Sequence, residues 1–173
     1  MNHLDKEAIA LEASAPVRTL MRMAINEDLG MAGDTTTMSL VAIDARGSGD
    51  IVARQDCTVS GTRVAESIFQ SFDGEVNCDI KIFDGQSAEK GDVVIHIEGL
   101  YGEMLSAERT ALNFMQRMSG VATLTAEYKK AVKGLDVKLL DTRKTLPGYR
   151  MIDKFAVLCG GGMNHRMGLY DKI

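Results

Sequence analysis

Residues 137–168 constrain the fold more than any other stretch. Val137-Lys-Leu-Leu-Asp reads as an apolar strand that runs into Thr142-Arg-Lys-Thr-Leu-Pro-Gly, a polar loop. Residues 149–158 read as a helix, and Cys159-Gly-Gly-Gly makes the turn out of it. Strand, loop and helix in this order are the opening of an α/β unit. A barrel of the common kind needs about 250 residues, so the sequence holds one unit and the start of another. Both loops carry cations: Arg143 and Lys144 after the strand, and His165 and Arg166 after the glycines. Such loops, held by a rigid scaffold, are where functional groups often sit.

The charge distribution supports that emphasis. The formal net charge is -4. Residues 137–173 nevertheless hold seven Lys/Arg and three Asp, a net of +4, which leaves -8 on the rest. A local basic region on an acidic protein suits a small anion better than a polymer, and argues against nucleic-acid binding. Within that region Lys138, Lys154 and Lys172 read as ordinary solvated charges, and Arg150 as a surface or interface residue.

The N-terminal part has a different character. Residues 1–13 read as a short helix. Ser14-Ala-Pro-Val supplies a capping hydroxyl and a proline tolerated in a first turn. Val17, Leu20, Met21, Ala24 and Ile25 then follow one helical face as far as Gly30. Gly33-Asp-Thr-Thr-Thr reads as a polar loop. Short strands are expected over 51–54 and 57–60, followed by a helix marked by Val64, Ala65, Ile68 and Phe69. Val76, Cys78, Ile80 and Ile82 alternate with period two, as do Val93, Ile95 and Ile97. Together these give an α+β region with a small antiparallel sheet and helices against one face. From Leu105 a long helical section begins, with Leu112, Met115, Met118, Leu124 and Tyr128 offered to a core and Gly120 as a kink or boundary.

No apolar stretch approaches the roughly 20 residues of a membrane span, and the first residues lack the pattern of a signal peptide. Cys57, Cys78 and Cys159 are few, odd in number and unpaired in sequence, which points to a reducing cytoplasm and against structural zinc. His96 shares a polar strand face with Asp92 and Glu98, and reads as surface rather than metal ligand. Asn26-Glu-Asp and Asp34 read as helix-end and turn residues. Cys159 reads as packing, and the eleven methionines mostly as core filler. Gly160-Gly-Gly can cradle phosphate through backbone donors or simply make a tight turn.

Glu108-Arg-Thr-Ala-Leu-Asn, Ser119-Gly, Asp141-Thr-Arg-Lys-Thr-Leu-Pro-Gly-Tyr-Arg and Gly160-Gly-Gly-Met-Asn-His-Arg-Met-Gly-Leu-Tyr-Asp resemble, in this order, the quinolinate phosphoribosyltransferases, also called nicotinate-nucleotide pyrophosphorylases (carboxylating). Asn26-Glu-Asp-Leu-Gly and Gly33-Asp-Thr-Thr resemble the family's early segment. The resemblance implies an α+β N-terminal sandwich domain over 1–110, then the start of an α/β barrel over 111–173. It also implies that the chain continues past Ile173, with most of the phosphoribosyl site in the continuation.

The resemblance further implies a cytoplasmic homodimer or larger assembly whose active sites combine two subunits. Arg109 would reach into the partner's site. Arg143, His165 and Arg166 would surround the carboxylates of quinolinate, with Thr142 and Lys144 beside them, and Lys144 and His165 would be the catalytic pair. Phosphoribosyl pyrophosphate with Mg2+ would be the second substrate, its metal ligands lying beyond these residues. The products would be nicotinate mononucleotide, pyrophosphate and carbon dioxide. Arginine suits this task because its planar fork grips a carboxylate through two parallel bonds. Blander readings stand beside these: Arg109 paired with Glu108, His165 and Arg166 capping a helix, and Thr142 and Asn164 donating orienting hydrogen bonds. The alternative functions are a related phosphoribosyltransferase that acts on another anionic ring without decarboxylation, and a non-catalytic oligomerisation or binding module.

Overall fold

The computed structural model describes residues 3–72 and 76–171. Helices α1 (His3–Ala13) and α2 (Ala15–Leu29) meet at Ser14, the N-cap of α2, with proline in the following turn. The Ser14 carbonyl accepts the first bond of α2 from Arg18 N, but its hydroxyl turns back to Leu11 O at 2.7 Å. It therefore closes α1 rather than capping α2. Residues 35–40 depart from the expected loop and form helix α3 (Thr35–Leu40). Asp34 nucleates it, accepting from Thr37 N (2.9 Å) and Thr37 Oγ1 (2.5 Å). These bonds hold the Asp34 carboxyl below the usual carboxylate range.

Five strands follow: β1 (Arg46–Val52), β2 (Cys57–Thr58), β3 (Asn77–Ile80), β4 (Ser87–Ala88) and β5 (Val93–Leu100), with helix α4 (Thr62–Phe69) after β2. The main sheet has the antiparallel order β1-β5-β3, and β2 pairs with β4 separately. The period-two pattern of β5 buries Ile95 and Ile97 and sets His96 on the other face, in register with Asp50 on β1 and Asp79 on β3. Helix α4 buries Val64, Ala65, Ile68 and Phe69. Full burial of each large side chain contributes about 1.5–3 kcal/mol.

Helix α5 (Tyr101–Ala131) is the spine of the molecule. It runs as one helix through Gly120, so the expected break does not occur, and the expected domain boundary at 110/111 falls inside it. Its buried face is Met104, Ala107, Ala111, Phe114, Met115, Met118 and Ala122, with Thr110 and Thr125. Leu124 and Tyr128, expected inside, are exposed. Small residues at 107, 111 and 122 let neighbouring backbone approach closely, so the core face is chosen by size as well as hydropathy. The methionines divide likewise: Met21, Met104, Met115 and Met118 are buried, whereas Met23, Met31, Met38 and Met163 are exposed.

Two side chains one turn apart on α5 bind the segment that begins with β2. Thr123 Oγ1 accepts from Thr58 N at 2.9 Å, and Ser119 Oγ both accepts from Ser60 N (3.0 Å) and donates to Ser60 O (3.1 Å). Helix α6 (Arg150–Cys159) packs on α5, and Arg117 grips the buried Asp153 with two bonds of 3.1 and 2.9 Å. The strand expected over 137–141 is reduced to one parallel bridge, Leu140 to Met163. With α6 as the crossover between these two segments, the described residues contain the opening unit of an α/β layer.

Candidate active site

The basic loops emerge side by side from that parallel bridge. Asp141 N donates to Met163 O (3.0 Å) and Met163 N to Leu139 O (2.9 Å). Beyond these bonds the chains diverge into Thr142–Lys144 on one side and Asn164–Arg166 on the other. Two predicted clusters more than twenty residues apart in sequence are thus brought together by one strand pairing. Thr142 shapes its own loop, its Oγ1 accepting from Lys144 N at 3.1 Å. Lys144 and His165 are exposed, and Arg143 and Arg166 are half-buried. No helix follows His165 and Arg166 among the described residues, so they cap none.

Arg143 has the most telling environment. Its Nε is buried and has no hydrogen-bond partner among the described residues. A buried donor left unpaired costs about 1–3 kcal/mol, and in a native protein it calls for an explanation such as a bound acceptor. An anion laid against the guanidinium would supply that acceptor. Arg109 lies elsewhere, on the exposed face of α5 away from Ala107 and Ala111. Among the described residues no ion pair joins it to Glu108 or another acid, the blander reading of its place, and no described bond joins it to the two loops.

Lys154 corrects the sequence reading most sharply. It is 1% exposed and its Nζ lies 2.5 Å from Asp141 Oδ1, a carboxylate that is itself 3% exposed. Lys154 Nζ also donates to His165 O (2.9 Å), while His165 N donates to Asp141 Oδ1 (2.9 Å). With the Asn164 amide assigned in the orientation that satisfies its neighbours, its nitrogen donates to Asp141 Oδ2 (2.7 Å) and Lys154 O (2.9 Å). Arg150, expected at a surface or an interface, is half-buried; it donates to Met167 O (3.1 Å), and its Nε is buried without a partner among the described residues. Lys138 is exposed as expected, and Lys172 lies outside the described residues. The sequence offered one signal for the buried pair: Lys154 stands between Asp153 and Phe155, and all three are on the buried stretch of α6.

The glycine run resolves in favour of the turn. Gly160 N, Gly161 N and Gly162 N donate to Ala156 O, Leu158 O and Val157 O, so all three donors are committed to ending α6. A side chain at 160 would meet Ala122 O at 2.4 Å, which explains the glycine by close approach to α5. Cys159 is buried and accepts from Ser60 Oγ at 3.3 Å, and burial pushes its thiol up to about 12. It is a packing residue, and a thiol so placed is no nucleophile near neutral pH.

A cavity of about 370 Å3 opens between α1 and α6, lined by Glu7, Lys154, His165 and Asp171 among others. The carboxylates of Glu7 and Asp171 make it a poor receptor for an anion. Among the described residues no cluster of three or more His, Cys, Asp or Glu is arranged to hold a metal ion.

Comparison with known proteins agrees with this architecture. The profile for "Quinolinate phosphoribosyl transferase, N-terminal domain" matches residues 34–119, and that for the C-terminal domain of the same family matches 121–173. "Quinolinate phosphoribosyltransferase [decarboxylating] 2b, mitochondrial" of Nicotiana tabacum is 40% identical over 157 residues, 91% of this chain and 44% of the relative. "Probable nicotinate-nucleotide pyrophosphorylase [carboxylating]" of Bacillus subtilis is 36% identical over 173 residues, 100% of this chain and 55% of that protein. The crystal structure of NadC from Streptococcus pyogenes superposes with a TM-score of 0.87 at 34% identity, covering 91% of this chain and 55% of that one. The chain thus spans about half the length of the relatives it matches. With two successive domain profiles, a shared fold and the paired basic loops all in agreement, the chain belongs to the quinolinate phosphoribosyltransferase family.

Proposed function

We propose that this chain forms the quinolinate-binding half of an enzyme that converts quinolinate and phosphoribosyl pyrophosphate to nicotinate mononucleotide, pyrophosphate and carbon dioxide, in the biosynthesis of NAD. The observation that carries the reading is the Arg143 guanidinium, whose buried Nε has no acceptor. It stands in a loop beside that of His165 and Arg166. Two adjacent carboxylates on a pyridine ring match such a set. Arg143 grips one through its planar fork, Arg166 and His165 meet the other, and Thr142 and Lys144 border the ring.

In this reading Arg109 completes the clamp from a neighbouring copy in a homodimer or larger assembly, as its exposed place on α5 without a described partner supports. Three unpaired cysteines among the described residues favour a reducing, cytoplasmic setting. Mg2+ arrives with phosphoribosyl pyrophosphate as part of that substrate.

The ring nitrogen bonds to the sugar carbon as pyrophosphate leaves, through an oxocarbenium-like state by analogy with other glycosyl transfers. The nitrogen becomes cationic. Carbon dioxide then departs from the adjacent ring carbon, the electron pair stays beside that nitrogen, and a proton takes the vacated position. In this reading Lys144 and His165 hold and pass that proton. The chain's remaining task is orientation and electrostatics.

The test is release of labelled carbon dioxide from carboxyl-labelled quinolinate by the intact protein with phosphoribosyl pyrophosphate and Mg2+. Turnover of nicotinate without such release would favour the related non-decarboxylating transferase. Turnover of neither ring would leave a binding or oligomerisation module.

A further inference from the structure

Two loops that grip one small ring need a fixed separation, and backbone pairing does not provide it. The parallel bridge ends at Asp141 and Met163, before either set of cations. Beyond that point both main-chain polar groups of His165 are held by side chains: its N–H by Asp141 Oδ1 at 2.9 Å and its C=O by Lys154 Nζ at 2.9 Å. Those two side chains are bound to each other and are almost wholly withdrawn from solvent, and Asn164 fills the second Asp141 oxygen. Arg143 follows Asp141 by two residues. One ion pair therefore sets the backbone on both sides of the cationic cluster.

We propose that Lys154 and Asp141 are positioning residues, which act through His165 and Arg143 to hold the two loops at the spacing of a ring dicarboxylate. This rests on the quinolinate reading above. Stability alone is a poor reason for the pair. Replacing both members of a buried ion pair with neutral residues of similar volume is often neutral or stabilising, whereas removing one leaves an uncompensated buried charge and is strongly destabilising. What neutral residues do not reproduce is the clasp on both polar groups of residue 165.

The two roles separate in the intact protein by comparing wild type, Lys154→Met, the double variant Asp141→Asn/Lys154→Met, and Arg143→Ala. Unfolding midpoints and affinities for quinolinate and for phosphoribosyl pyrophosphate are measured for each. Lys154→Met should lower the midpoint. The double variant should recover most of that loss yet bind quinolinate about tenfold or more weakly, since a displacement near 1 Å costs up to roughly 100-fold. Its affinity for phosphoribosyl pyrophosphate should stay within about twofold of wild type, because that site is expected mainly outside this pair's reach.

A double variant that binds quinolinate as wild type does, while Arg143→Ala does not, overturns the positioning role and leaves the quinolinate reading intact. Equal weakening of both ligands, or a double variant that fails to fold, makes the pair a general fold determinant and overturns it too. If wild type itself does not bind quinolinate, the functional reading fails first and this inference with it.

Discussion

Asp84 caps helix α4 from outside the helix, by way of Thr62. Its Oδ1 accepts from Gly61 N (2.5 Å) and Thr62 N (3.1 Å), and its Oδ2 accepts from Thr62 Oγ1 (3.0 Å). In sequence Asp84-Gly85 reads only as a turn; in the fold it satisfies the orphan donors of a helix whose own N-cap is a glycine without a side chain. Burial pushes the Asp84 carboxyl up despite these bonds. Asp84→Ala should cost roughly 2–3 kcal/mol by urea unfolding, as buried donors lose their acceptor. Asp84→Asn keeps an acceptor and removes the buried charge, so its loss should be under about 1 kcal/mol. Equal losses in the two variants would show that the carboxylate charge itself holds the cap.

Two glycines, Gly160 packed against α5 and Gly120 within it, predict opposite outcomes for the same change. At Gly160 an added methyl meets Ala122 O at 2.4 Å and Thr125 Cβ at 2.5 Å, and backbone cannot yield cheaply. Gly160→Ala should destabilise by about 1–3 kcal/mol and shift the turn that delivers His165. At Gly120, within α5, nothing beyond the adjoining backbone of its own helix lies within 4 Å of the added carbon. Gly120→Ala should stabilise by about 0.5–1 kcal/mol through helix propensity. Paired thermal melts decide both, and a destabilised Gly120→Ala would point to close packing at that exposed position.

His96 should make stability depend on pH. Its ring bonds Asp50 Oδ1 (2.6 Å) and Glu98 Oε1 (3.1 Å), and these bonds raise its pKa above the ordinary 6.5. A raised base stabilises the fold fully below its unfolded value, and that stabilisation fades as pH climbs through the folded one. Urea midpoints of wild type minus His96→Gln, taken from about pH 6 to about pH 8, should therefore decline with rising pH. A difference that stays flat would remove His96 from the linkage.

Arg143 sets function against stability. Its buried, unpartnered Nε is a cost to the unliganded fold. Arg143→Met should leave the unfolding midpoint unchanged or raise it, while weakening quinolinate binding about 10- to 100-fold through loss of a charge-assisted contact. A large loss of stability would assign Arg143 to the fold instead.

The residue pattern alone determined most of the element types and the two cationic loops, though not α3 or the shortness of the strand before Asp141. Period-two runs give β3 and β5, apolar helical spacing gives α2 and α4, and Arg143, Lys144, His165 and Arg166 stand where an α/β unit holds ligands. Such patterns are local, because side-chain direction repeats every two or 3.6 residues along any one element. Tertiary structure decided the partners. Nothing in the spacing of Lys154 distinguishes a solvated lysine from one clasping Asp141 and the backbone of His165, nor marks Asp84 as the cap of a helix that precedes it in sequence. Asp34 and Thr37 fell between: their stretch reads as a polar loop, yet they start α3, which the Ser106 bond to Asp34 at 3.2 Å ties to α5. A charge can be buried only where a distant segment supplies its counter-charge and its remaining hydrogen bonds, and which segments meet is a property of the assembled fold.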